Sequence, residues 1–126
     1  MRIYNWAKIL LFVVVTNSCS TTPVLKDFDL ESWKNDRNGC NKKRIDLADQ
    51  LINQKNKLLS LDEMEMVSAI GKPDRHEIYK RSEKFFYYSI DPDTSCTSET
   101  QQGRTLVVRF NAVGLAKEIS IEEVKF

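Results

Sequence analysis

The spacing of apolar residues changes at Pro73, and this change limits the possible folds more than any other feature of the 126-residue chain. Before Pro73, apolar residues recur every three or four positions, which is the period of a helix with one buried face. After Pro73, apolar and polar residues alternate, which is the period of a strand with one buried face. Helices followed by strands are typical of an α+β domain, in which the helices cover one face of an antiparallel sheet.

The helical part begins with two predicted helices. A short first helix spans 28–34, where Asp29 is placed to cap the N-terminus and Leu30 and Trp33 share one face. Turn-forming residues at 35–39 then bend or interrupt the chain. A longer second helix carries one apolar stripe, formed by Ile45, Ala48, Leu51, Ile52, Leu58 and Leu59.

A third helix is predicted from about residue 61 to residue 70. Ser60 and Glu63 have the spacing of a capping box, in which Ser60 caps the helix and Glu63 bonds back to it. Gly71 suits the left-handed position that commonly ends a helix, and Pro73 cannot continue one.

The alternating part predicts strands over 76–80, 85–90, 105–110 and 115–121. A turn at 111–114, where Gly114 can take a positive φ, joins the last two strands as a hairpin. A change of parity also predicts a bulge or strand end near Glu122. The predicted fold class is therefore α+β, with two or three N-terminal helices packed on one face of a three- to four-stranded antiparallel sheet.

The aromatic run at 85–88 is the clearest candidate for an interaction surface. Phe86 and Tyr88 have the parity of the core, so Phe85 and Tyr87 point to the other face of the sheet. That face is either an exposed apolar patch that binds a partner or is covered by the first helix through Trp33. Periodicity leaves both possibilities open, and the predicted partner-binding face consists of Phe85, Tyr87 and Trp33.

The first 18 residues have the layout of a secretory signal. Arg2 and Lys8 are followed by an unbroken apolar run over 9–15 and then by small polar residues. The run is too short to span a bilayer, which takes about 20 apolar residues. The alternative is a buried N-terminal strand or helix of the domain.

The end of this segment resembles a bacterial lipobox, because the small residue Ser18 stands directly before Cys19. The resemblance implies that the chain is cut before Cys19 and that a lipid on Cys19 holds the protein on a membrane. Because Ser20 rather than Asp follows, it also implies the outer membrane, with the protein facing the periplasm. The predicted organisation is a signal peptide over 1–18, a tether over 19–27 and one domain over 28–126.

Three cysteines are present, Cys19, Cys40 and Cys96. With Cys19 lipidated, an even pair remains in an oxidising compartment, so a disulfide between Cys40 and Cys96 is predicted. The alternative is two buried, unpaired cysteines. One histidine and two distant cysteines do not form a zinc site, so neither a metal nor another cofactor is predicted.

Charge and motifs exclude several functional classes. Removal of residues 1–18 leaves 17 basic and 18 acidic residues, a net charge near −1, which is unlike a nucleic-acid-binding domain. His76 has no nucleophile placed beside it by any motif, so an ordinary histidine is favoured over a general base. Asp91 and Asp93 predict a solvated turn rather than a cation site. The chain is therefore predicted not to be an enzyme.

Residues 60–120 resemble the BamE/SmpA family of small lipoproteins. The resemblance rests on "SLDEM" at the start of a helix, "IGKPD" at its end, Tyr87 and Tyr88 on a strand, and "LVVRFNAVGL" as strand, turn and strand. It implies a periplasm-facing lipoprotein that supports the assembly of β-barrel proteins by binding other components. The segment over 28–40 and the loop that carries Cys96 are not part of that family pattern.

These observations predict a lipid-anchored interaction or scaffold module without catalytic activity. Its partners would be the membrane, through the lipid on Cys19, and another protein of the envelope. The alternative is a small secreted inhibitor or ligand-binding domain on the same scaffold.

Overall fold

A computed structural model describes residues 22–96 and 102–125 of the chain. Within these residues the helices are α1 (Leu30–Asn35), α2 (Lys43–Asn53) and α3 (Glu63–Ile70), and the strands are β1 (Arg75–Ile78), β2 (Lys84–Ser89), β3 (Gln102–Phe110) and β4 (Ala116–Lys125). The strands lie in the order β1-β2-β3-β4, and each neighbouring pair is antiparallel. The α+β prediction of helices followed by an antiparallel sheet is confirmed.

The core lies between the helices and one face of the sheet. That face contributes Phe86, Tyr88, Leu106, Val108, Phe110 and Ile119, and the helices contribute Trp33, Ala48, Leu51, Met66, Ala69 and Ile70. Because Phe86 and Tyr88 belong to this core, the face of the sheet predicted for them is correct. Burying one large apolar side chain contributes roughly 1.5–3 kcal/mol to folding.

Helix α1 begins where the sequence predicts. The Asp29 carboxylate accepts hydrogen bonds from the Ser32 amide at 3.1 Å and the Ser32 hydroxyl at 2.7 Å, which satisfies a donor that the helix itself leaves free. Trp33 is fully buried, and its ring lies 6.2 Å from that of Tyr88. The short helix is thus held on the core side of the sheet by one aromatic side chain.

The capping box of α3 lies two residues later than predicted. Asp62, not Ser60, is the N-cap: its carboxylate accepts from the Glu65 amide at 2.8 Å, and the Glu65 carboxylate accepts from the Asp62 amide at 2.9 Å. Ser60 instead donates its amide to the Ala116 carbonyl and takes a φ of 68°. Pairing with the start of β4 therefore displaces the capping function along the chain.

Helix α2 is shorter than its apolar stripe. It ends at Asn53, and a 3₁₀ turn over Lys55–Lys57 carries the chain to Leu58, which is fully buried. The stripe continues into the core because this turn keeps nearly the same spacing as the helix. Gln54, the residue after α2, bonds the backbone of Lys26 in both directions, at 2.6 and 2.7 Å.

The segment predicted as a tether is attached to the domain over part of its length. Leu25 is buried in the core cluster, and Lys26 is held by Gln54. The described chain is therefore fixed to the domain from Leu25 onward, before the predicted start at residue 28.

The last strand is longer and more regular than predicted. β4 continues through Glu122 to Lys125 without a shift in its pairing to β3. The irregularity lies at the other end of the pair, between Arg109 and Phe110, so the prediction of a bulge near Glu122 was wrong. Gly114 takes a φ of 84° in the intervening turn, as predicted.

A disulfide links Cys40 and Cys96, as predicted, with their Cα atoms 5.4 Å apart. It joins the segment between α1 and α2 to the segment after β2. The same two segments approach closely at Gly39, where an added Cβ would lie 2.7 Å from the Asp91 carbonyl oxygen. Gly39 is therefore required both for this contact and for its φ of 69°.

An ion pair between Arg44 of α2 and Asp74 is completely buried, since both side chains are 1% exposed. One nitrogen of the Arg44 guanidinium donates to Asp74 at 2.5 Å and to the Ser89 carbonyl at 3.0 Å. Its Nε donates to the Trp33 carbonyl at 2.9 Å, and the guanidinium lies 5.0 Å from the Trp33 ring centroid. One side chain thus joins α1, α2 and β2.

The carboxylates around Arg44 are satisfied as well. Asp74 accepts from the amides of Asn38 at 3.0 Å and Ser89 at 2.8 Å. Asp36 accepts from the amides of Asn41 and Arg44 and so caps α2. A buried charge of this kind is tolerated only when its hydrogen-bonding capacity is met.

No helix in the described part of the chain is long and apolar enough to cross a membrane.

Reduction of the disulfide is expected to destabilise the domain by up to about 4 kcal/mol, because the bridge closes a loop of 56 residues in the unfolded chain. Urea unfolding with and without dithiothreitol measures this difference. The control is the double variant Cys40→Ser/Cys96→Ser, whose stability should not respond to the reductant. Equal stability of the oxidised and reduced protein would contradict the prediction.

Replacement of Arg44 by Met is expected to cost about 3–5 kcal/mol, because it removes the buried cation of Asp74 and leaves only the half-exposed Arg37, whose Nε lies 3.5 Å from that carboxylate. The matched control is Lys43→Met, since the neighbouring Lys43 is exposed and should change stability by less than about 0.5 kcal/mol. Both are measured by urea denaturation. A cost for Arg44→Met as small as that of the control would show that the buried pair contributes nothing.

Candidate functional site

The face of the sheet that points away from the helices is the candidate site, and we call it the outer face. Residues paired directly across neighbouring strands project to the same side. The register therefore places Tyr87 beside Arg75 and Val107, and Phe85 beside Glu77 and Arg109. The outer face is defined here by Arg75, Glu77, Tyr79, Phe85, Tyr87 and Arg109.

Three aromatic rings form a row along the outer face. The Tyr79 ring meets Phe85 edge-on at 5.1 Å, and the Phe85 ring stacks against Tyr87 at 6.3 Å. The Arg75 guanidinium lies 5.1 Å from the Tyr87 ring centroid, a cation–π distance. The row is fixed at one end by Arg75 and becomes progressively more exposed toward Tyr79, which is 54% exposed.

Tyr87 is held as a hydrogen-bond donor. Its hydroxyl donates to the Glu77 carboxylate at 3.1 Å. Burial raises the pKa of Tyr87 well above its usual value near 10, and the negative charge of Glu77 raises it further. Tyr87 therefore stays neutral across the physiological pH range.

Charged side chains border the aromatic row on its other side. The Arg109 guanidinium bonds Glu83 at 3.3 Å and Glu118 at 3.3 Å. These groups are partly exposed, so the ion pairs contribute little to stability. Together with the rings they form a surface of aromatic and arginine side chains, the types that dominate the energetics of protein interfaces.

Trp33 does not belong to this surface. It is fully buried against Tyr88, on the opposite side of the sheet from Phe85 and Tyr87. Its inclusion in the partner-binding face was wrong, and so was the alternative in which it covers that face. The period of the first helix indicates that one side of Trp33 is buried, but it does not tell which face of the sheet receives it.

The residues considered for catalysis do not form a cluster. His76 is exposed on β1, where it lies opposite Phe86. The prediction of a solvated turn was wrong for Asp93, which is 6% exposed and accepts from the Ser89 hydroxyl at 2.9 Å. In residues 22–96 and 102–125, no group of three or more metal-ligating side chains could hold an ion.

Asp91 is paired rather than free. Arg104 donates to its carboxylate from the backbone amide at 2.9 Å and from the guanidinium at 3.1 Å. Burial alone would raise the pKa of Asp91, but the hydrogen bonds and charge of Arg104 outweigh it and hold the pKa below its usual value. Asp91 thus fixes the start of β3 to the end of β2.

Cys19, the predicted lipidation site, lies outside the described residues, as do residues 1–18. Its modification stays a prediction.

Comparison with models of protein families, with curated proteins and with solved structures found no significant match to this chain. The resemblance of residues 60–120 to the BamE/SmpA family therefore stays a prediction as well.

Tyr87→Phe is expected to lower stability at pH 7 by about 1 kcal/mol, because the hydrogen bond to Glu77 is lost. The raised pKa of Tyr87 gives a second readout. A group whose pKa is higher in the folded state contributes stability that is lost as pH rises above the unfolded value near 10. The variant should therefore lose less stability than the wild type between pH 10 and pH 12.

Thermal unfolding of both proteins from pH 7 to pH 12 tests this expectation. Tyr79→Phe is the control, because it also removes a hydroxyl from this surface. The structure shows no hydrogen bond between the Tyr79 hydroxyl and Glu77. Parallel stability curves for the wild type and Tyr87→Phe would contradict the role assigned to burial and Glu77.

Proposed function

We propose that this chain is a lipid-anchored module of a bacterial envelope that faces the periplasm and acts by binding another protein. The observation that carries the proposal is the outer face, whose aromatic row lies outside the core cluster and runs from the buried Tyr87 through the half-buried Phe85 to the exposed Tyr79. An ordered row of aromatic and arginine side chains with a charged border has the composition of a protein-binding surface. The secretory signal and the lipobox-like end at Cys19 support the location.

The partner proposed is a folded protein surface rather than a nucleic acid. The net charge near −1 of residues 19–126 gives no attraction for a polyanion. The outer face mixes both signs of charge, since Arg75 and Arg109 alternate with Glu77, Glu83 and Glu118. A complementary surface would place apolar groups over Tyr79 and Phe85 and charged groups over this border.

The family resemblance suggests a particular setting for this binding. A role accessory to the assembly of outer-membrane proteins, or to the integrity of the envelope, is the finer form of the proposal. It rests on the sequence resemblance, whereas the interaction surface rests on the contacts described above.

Photo-cross-linking in intact cells tests the proposal. The full chain is expressed with p-benzoylphenylalanine in place of Phe85, which lies at the centre of the aromatic row. We expect a cross-link to a discrete envelope protein. The matched control places the same group at His76, which is exposed on β1 but has the opposite parity.

Cross-links of equal yield from both positions, or none from Phe85, would contradict binding through the outer face. Metabolic labelling with a clickable fatty acid tests the location separately, with Cys19→Ala as the unlabelled control. Recovery of the unmodified protein in the soluble fraction would instead favour a small secreted inhibitor or ligand-binding domain.

A further inference from the structure

The two ends of the sheet differ in their exposed side chains. Ile78, the last residue of β1, pairs with Lys84, the first of β2. Lys84 pairs with Phe110, the last of β3, and Phe110 pairs with Ala116, the first of β4. The turns at 79–83 and 111–115 therefore lie at the same end of the sheet.

The start of α3 lies at this end too. Asp62 forms an isolated antiparallel bridge with Leu115, and Glu63 pairs with Lys84 at 2.8 Å. Met64, in the first turn of α3, is therefore close to both turns.

The N-terminal segment runs beside the same helix. Pro23 and Met64 line one small cavity of about 320 Å³, and Val24 and Ala69 line a second of about 170 Å³. The described chain thus approaches the domain along α3, from the end where that helix begins.

Large exposed apolar side chains concentrate at this end. Within the described residues they are Met64, Ile78, Tyr79, Val113 and Leu115, whereas Val24 lies beside Ala69, near the other end of α3. Met64 and Val113 are each about four-fifths exposed, at 82% and 78%. We call this region the apolar end. The opposite end of the sheet carries the disulfide, the Asp91–Arg104 ion pair and the last residues of β4.

We propose that the apolar end rests on the lipid surface to which Cys19 anchors the chain. This inference rests on the lipid anchoring of the proposed function and adds the orientation of the domain. Exposed apolar side chains with basic residues around them are typical of proteins that lie in a membrane interface. At the apolar end, Lys80 and Arg81 of the turn at 79–83 are exposed basic side chains of this kind. The acidic Glu63 and Glu83 at this end are paired with Lys84 and Arg109.

The short length of chain between Cys19 and the domain favours contact of the apolar end with the lipid surface. Thr22 lies beside Met64, since both line the same cavity. Cys19 stands three residues before Thr22, and a fully extended chain of that length spans about 10 Å. A lipid on Cys19 therefore lies within reach of Met64 and the apolar end.

Depth-dependent fluorescence quenching tests the orientation. The full-length lipidated protein is purified from membranes and reconstituted into vesicles of phosphatidylethanolamine and phosphatidylglycerol with brominated acyl chains. Val113→Trp places a reporter at the apolar end, and Thr94→Trp places one in the exposed segment before Cys96. After removal of residues 1–18, the buried Trp33 contributes the same background to both variants.

We expect the reporter at 113 to be quenched at least twofold more strongly than the reporter at 94. Met64→Trp should give the same result as Val113→Trp, so a local effect of either substitution is separated from the orientation. Fatty-acid labelling of the same samples verifies the anchor.

The outcomes separate the two proposals. Equal quenching at both positions in labelled protein would overturn the orientation and leave the anchor standing. Absence of lipid from the purified protein would overturn the anchor and, with it, the orientation that rests on it.

Discussion

The buried pair of Arg44 and Asp74 is the interaction on which the arrangement of the two layers depends. Helices and sheet are joined elsewhere by apolar contacts, which have no preferred direction, and by the partly exposed ion pair of Glu63 and Lys84. The guanidinium, in contrast, must meet Asp74, the Trp33 carbonyl and the Ser89 carbonyl at once. This requirement fixes where α1 and α2 lie relative to β2. The position of β2 in turn decides which aromatic residues enter the core and which remain on the outer face.

The fold class follows from the sequence because periodicity reports directly which residues are buried. The alternation at 85–90 assigns Phe86 and Tyr88 to the core, and the structure confirms it. The disulfide follows from a count of cysteines once Cys19 is set aside. Neither inference requires knowledge of which elements of the chain pack against each other. The failures of prediction are the cases in which that knowledge was required.

Three such cases have a physical cause in tertiary contacts. The Ser60 amide pairs with the Ala116 carbonyl, so the cap moves to Asp62. Trp33 has the pattern of any buried helical residue, and only the packing shows that it meets Tyr88 rather than Phe85. Asp93 occupies a sequence typical of an exposed turn, yet it is buried, accepts from the Ser89 hydroxyl and donates its amide to the Asn38 carbonyl. The outer face was half predicted: its strand residues follow from parity, whereas Arg75 and Tyr79 are added by strand pairing.

The order of the two layers along the chain affects how the domain is made. Ribosomes synthesise a protein from its N-terminus, so α1, α2 and α3 are complete before β1 has been made. In that interval the sheet against which the apolar stripes pack has not been made, and Arg44 lacks its ion-pair partner Asp74. Cys40 cannot form its disulfide until 56 further residues have been synthesised and Cys96 is present. The sheet itself, in which each strand pairs with the next, can then form by successive hairpins. The apolar stripes of the helices therefore remain uncovered until the strands that follow them have been made.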